Sequence, residues 1–98
     1  MEYRNRYGDT YTFTKQEDGN VLWEGDFQYC RFGVDKDQDD FTFVDPSGGP
    51  FIKKGQMLSH IVGGDDLNVI VAGFKKVKHG YIIKTIPHEY DPNDMSHL

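Results

Sequence analysis

The chain predicts a single small α+β domain, mainly an antiparallel sheet of about six strands with one short helix, in the order ββββαββ. Three observations carry that prediction. Ninety-eight residues supply one core and no second, since a chain of this size buries only about two thirds of its unfolded surface. Seven Phe, six Tyr and one Trp favour the pleated sheet and bury large areas, so a hydrophobic fraction of 37% suffices for a compact interior. Eleven Gly, with twelve Asp among sixteen acidic residues, supply turns and caps rather than helix interiors. The runner-up is a small all-β barrel, which follows if the one helical segment is extended instead.

The first eight residues show no usable period and are assigned no element. Thr10, Thr12 and Thr14 alternate with Tyr11, Phe13 and Lys15, the period of two that lays one face of a strand on a core. Glu17-Asp18-Gly19-Asn20 has turn chemistry, and Val21–Glu24 returns with Trp23 to make a hairpin. After Gly25-Asp26 a third strand is expected over residues 27–34, with bulk on both faces. Residues 35–40 are polar, residues 41–44 form a fourth strand, and Asp45-Pro46-Ser47-Gly48-Gly49-Pro50 breaks regular structure.

Over residues 55–62 the spacing changes. Leu58, Ile61 and Val62 fall at i, i+3 and i+4, and Gly63-Gly64 offers a left-handed stop, so one short helix is predicted here. The apolar run 67–74 and the segment 81–86, ended by Pro87, then fold back on a His79-Gly80 turn. Residues 88–98 hold Pro92, three acids and few apolar side chains, which cannot offset the entropy of ordering them. The expected organisation is therefore a domain over 1–87 and a mobile polar tail over 88–98.

Charge is segregated along this chain of net charge -5. Residues 9–45 hold ten acids against three bases, whereas Lys75, Lys76, Lys78 and Lys84 gather on the last hairpin. Such separation implies surfaces that prefer one kind of partner. Glu17, Asp18, Glu24 and Asp26 are the candidate acidic docking surface for a basic protein. The four lysines are the candidate nucleic-acid surface, or a guard against edge pairing.

Other chemistry is sparse. Asp35, Asp37 and Asp39 could aim carboxylates at a cation, but an EF-hand loop wants Gly sixth and Glu twelfth, and Asp40 and Pro46 stand there. Cys30 is the only cysteine, so no intramolecular disulfide can form. It lies mid-strand, with neither a glycine-rich elbow nor a helix start to make it a nucleophile. His60, His79, His88 and His97 are too scattered for zinc. Ser47, Gly48 and Gly49, with Lys53, form a candidate anion or nucleotide loop, although no phosphate-loop or dinucleotide spacing is present.

The segment Ile52-Lys53-Lys54-Gly55-Gln56-Met57-Leu58 resembles the turn segment of biotinyl and lipoyl carrier domains over those few positions. The Met-Lys-Met or Asp-Lys-Ala turn that holds their modified lysine has no counterpart, so no residue role is carried over. No cofactor, catalytic residue or enzymatic activity is expected. No apolar run approaches the roughly twenty residues of a membrane span, and neither a signal peptide nor any setting other than the cytoplasm is expected. The predicted function is a small non-enzymatic interaction protein, of the kind found among bacterial and phage accessory proteins, docking on a protein partner. Small-ligand or nucleotide binding at the Gly-rich loop, nucleic-acid association at the lysine hairpin and homodimerisation through a sheet edge are the alternatives.

Overall fold

The computed structural model of the chain describes residues 1–34 and 41–87. In chain order its elements are β1 (Glu2–Arg4), β2 (Thr10–Lys15), β3 (Val21–Glu24), β4 (Cys30–Phe32), β5 (Phe43–Pro46), β6 (Ile52–Lys53), the helix α1 (Leu58–Val62), a 3-10 turn (Asp65–Leu67), β7 (Val69–Val77) and β8 (Gly80–Pro87). The eight strands make two antiparallel sheets, one ordered β1-β2-β3-β8-β7 and one β4-β5-β6. They do not close into a barrel. This is the β-dominated α+β domain expected from the alternation and the aromatic content.

Register explains the core. Phe13 lies opposite Trp23, Trp23 opposite Tyr81, and Val21 opposite Ile83, so these five apolar side chains share one face of three neighbouring strands, and all five are buried. Trp23 stacks on Phe13 with centroids 5.5 Å apart, and Phe27 meets the rings of Trp23 and Tyr81 edge-on at 4.9 and 5.0 Å. Phe32 and Phe41 from the second sheet's side pack on each other and on Tyr81. Such ring pairs contribute about 0.5–1.5 kcal/mol each beyond the area they bury. Tyr81 is thus the joint between the two sheets.

A bulge between Val71 and Gly73 changes the phase of β7. Val69 and Val71 face inward before it and Phe74 after it, which is why the sequence there reads as a nearly continuous apolar run rather than an alternation. Lys76 is in phase with Phe74, and its ammonium lies 5.0 Å over the Tyr81 ring.

Several expected boundaries move, each for a visible reason. The N-terminal residues are not irregular: Glu2, Tyr3 and Arg4 pair with Thr12, Tyr11 and Thr10. The strand expected over 27–34 contracts to Cys30–Phe32, because the Asp26 carboxylate accepts the Gln28 N–H and bends the chain. That bend turns Phe27 into the core. The next strand runs later than expected, over Phe43–Pro46, and Ile52–Lys53 pairs with it as an added edge. The helix starts at Leu58 rather than Gly55, since Gly55 and Gln56 exchange backbone hydrogen bonds with Val71 and Met57 bridges Ile70. The last hairpin turns on Lys78 and His79, with Gly80 already paired to Val77. The loop carrying Asp35, Asp37 and Asp39 and the predicted tail 88–98 lie outside the described residues.

Candidate functional site

Pro46-Ser47-Gly48-Gly49 closes a tight turn after β5, in which the Gly49 N–H reaches the Pro46 carbonyl. Gly48 has φ 78, the left-handed backbone that a side chain resists. A Cβ on Gly48 would also stand 2.8 Å from the Asn5 amide and 3.4 Å from the Tyr7 ring, and one on Gly49 would stand 2.7 Å from the Tyr11 ring. The turn is therefore packed against two other parts of the chain.

Asn5 is the hub of that packing. Its Oδ1 accepts the Tyr7 and Asp9 backbone N–H groups, and its Nδ2 donates to the Gly48 carbonyl at 2.6 Å and to an Asp9 carboxylate oxygen. On the other flank the Ser47 N–H donates to the Tyr29 carbonyl. Beneath both, the buried Tyr11 hydroxyl donates to the Asp26 carbonyl at 2.7 Å. Burial, then the Asp26 and Asp9 charges, push the Tyr11 phenol up to about 12.

Three clefts meet at this turn, and Ser47 and Gly48 line all of them. The first, about 630 Å³, runs along Gln28, Tyr29, Cys30, Arg31 and Asp45. The second, about 480 Å³, runs along Tyr3, Arg4, Asn5, Arg6 and Tyr7. Between them a smaller one, about 170 Å³, is lined by Tyr7, Asp9, Asp26, Gln28 and Tyr29. Tyr7 and Tyr29 are 67% and 69% exposed and are the partitions, each bordering the central cleft and one neighbour. Charge alternates across the end: arginines, then two aspartates, then the Arg31 guanidinium, which is ion-paired with Asp45.

Cys30 lines the first of these clefts, yet its chemistry is muted. The thiol donates to the Phe27 carbonyl at 2.8 Å, and burial pushes its pKa up, opposed by the Tyr81 hydroxyl and the Lys76 ammonium. The Tyr81 hydroxyl is itself buried with no hydrogen-bond partner among the described residues. It stands close to Sγ, outside hydrogen-bond geometry, and burial raises its own pKa.

The other expected residues are dispersed. Ser47, Gly48 and Gly49 come together as a cleft floor, but Lys53 lines none of the three clefts. The helix that follows Lys53 in the chain has five residues, too short to present an anion site. Glu17 and Asp18 sit in the turn after β2, whereas Glu24 ends the four-residue strand β3, roughly 13 Å long, and Asp26 lies beyond it. Among the lysines, Lys75 pairs with Ile82 and Lys84 with Gly73 on the outer sheet face, Lys76 lies on the Tyr81 side, and Lys78 occupies the turn. Among the described residues no group of three or more His, Cys, Asp or Glu side chains is arranged to hold a metal.

Sequence reasoning did not find Asn5, Tyr7, Asp9 or Tyr29. The legible signal was Asn5-Arg6-Tyr7-Gly8-Asp9, an Asx turn ahead of a glycine, here with φ 89, that leaves a tyrosine no core face. Comparison with protein-family models, with curated proteins and with solved structures returns no match. No helix of the described residues is long and apolar enough to cross a membrane.

Proposed function

We propose that this domain is a small non-enzymatic interaction module that receives a protein partner on the end built around Ser47, Gly48 and Gly49. The observation that supports it is the meeting of three clefts on one rigid turn, partitioned by two exposed tyrosine rings. Tyr and Arg are the side chains that most often anchor protein interfaces, because they offer large contact area at modest entropic cost. Here Tyr7, Tyr29, Arg6 and Arg31 surround a backbone whose shape two glycines fix. The lysine hairpin is less suited to a nucleic-acid strand, since its cations are divided between the two faces of the sheet and the turn.

The test is selection of peptides from a random displayed library on the folded domain, followed by NMR mapping of the binders. Selected peptides are expected to perturb Gly48, Tyr7 and Tyr29, and the Tyr7→Ala, Tyr29→Ala double variant to weaken them at least about tenfold. Binders that map to the lysine hairpin instead would overturn the assignment of this end.

A second reading has one observation in its favour. The cleft beside Gly48 and Gly49 has about 630 Å³, within the range of small-molecule pockets, about 300–1,000 Å³. A nucleotide or other small ligand there would raise the melting temperature with ligand concentration, whereas a peptide site leaves nucleotides without effect.

A further inference from the structure

We propose that the central cleft between Tyr7 and Tyr29 is a pocket for an arginine side chain of the partner protein. This rests on the reading of the 47–49 end as the interaction surface, and it names the chemistry of one contact there.

Size comes first. At about 170 Å³ the cleft is below the range of whole small-molecule sites, about 300–1,000 Å³, and is suited to the head group of one side chain. Its walls are tyrosine rings, which attract a cation to their faces. The Arg6 guanidinium already lies 5.1 Å from the Tyr7 ring centroid and also donates to the Tyr7 hydroxyl. Arg6 lines the neighbouring cleft and not this one, so the central side of Tyr7 is left for another group.

Charge selects the occupant. Asp9 and Asp26 line the cleft, and none of its other lining residues, Tyr7, Gln28, Tyr29, Ser47 and Gly48, carries a positive charge. Asp26 Oδ1 accepts the Gln28 N–H and Asp9 Oδ2 accepts Asn5 Nδ2. No hydrogen bond from the described residues reaches Asp9 Oδ1 or Asp26 Oδ2, so each carboxylate keeps an acceptor. Both charges also act on the Tyr11 phenol. A guanidinium fits this set better than an ammonium does, because it is planar against the rings and carries a fork of donors for two separate acceptors.

The test uses acetyl-Gly-Arg-Gly-amide, its lysine analogue and its citrulline analogue, the last being neutral and nearly isosteric with arginine. Each is titrated into the full chain at low salt, with NMR observation of the Tyr7 and Tyr29 rings and the Gly48 amide. The arginine peptide is expected to shift all three, the lysine peptide to bind more weakly, and citrulline to have no effect. Asp26→Asn and Asp9→Asn, which keep the acceptor of each turn, should each weaken the arginine peptide about fivefold, with an unchanged melting curve as the control on folding. Tyr29→Leu should bind about fivefold more weakly, since the aromatic ring is required. Equal shifts with arginine and citrulline would overturn the cation pocket while leaving the end a binding surface. Shifts confined to Glu17 and Asp18, or none, would also overturn it, and the library selection then decides separately whether the end binds protein.

Discussion

At the scale of single residues, burial raises the pKa of three side chains, Tyr81, Tyr11 and Cys30. The Tyr81 hydroxyl is buried without a hydrogen-bond partner among the described residues, so Tyr81→Phe removes a desolvation cost and breaks no hydrogen bond to them. Stability in urea is expected to stay the same or rise by about 1 kcal/mol. The pH dependence of Tyr11 has a definite sign. Its folded pKa is raised from 10.0 to about 12, so the unfolded chain releases this proton first. Its contribution is complete below pH 10 and is lost as pH climbs towards 12. Alkaline melts of the wild type and of Tyr11→Phe should converge over that interval. The same burial governs Cys30, whose raised pKa leaves little thiolate at neutral pH. Its reaction with a thiol reagent is expected to be slow in the native protein and to accelerate on unfolding.

At the scale of elements, strand hydrogen-bonding and tight approach decide what can be changed. A Cβ on Gly80 would fall 1.9 Å from the Trp23 carbonyl oxygen, a backbone atom within the β3–β8 pairing that cannot move alone. Gly80→Ala should destabilise by at least about 2 kcal/mol, measured by urea unfolding. Asn5→Ala frees the Tyr7 and Asp9 N–H groups and the Gly48 carbonyl together, and amide exchange over residues 5–9 is expected to quicken well beyond that of β2. The β2–β3 hairpin was legible because Thr10–Lys15 alternates strictly and Asp18-Gly19-Asn20 can only turn. The five-residue helix was legible from Leu58, Ile61, Val62 and the two glycines after them. The strand Glu2–Arg4 was not, since three residues carry no period and their ladder is supplied by β2. The early end of the strand near Tyr29 was equally hidden, because it depends on where the Asp26 carboxylate points.

At the scale of the whole molecule, the two sheets meet through Tyr81, Phe32 and Phe41. Because they share this aromatic contact, they should unfold as one unit. Phe41→Ala is expected to cost about 3–5 kcal/mol and to lower the midpoint seen by Trp23 fluorescence and by far-ultraviolet dichroism equally. Separate midpoints would show two independent units. The charge segregation of the chain was plain in the sequence, but its folded placement was not, because hairpins carry neighbours such as Glu17 and Glu24 to opposite ends. The candidate site was hidden for a related reason. Residues 3–9, 26–31 and 45–49 are separated by long stretches of chain and become neighbours only when Asn5, Tyr11 and Tyr29 make their contacts with the turn at Gly48. The binding end is therefore a discontinuous epitope: a synthetic peptide copying any one of the three segments should not compete for the partner, and an antibody recognising this end should lose its target once the chain is denatured.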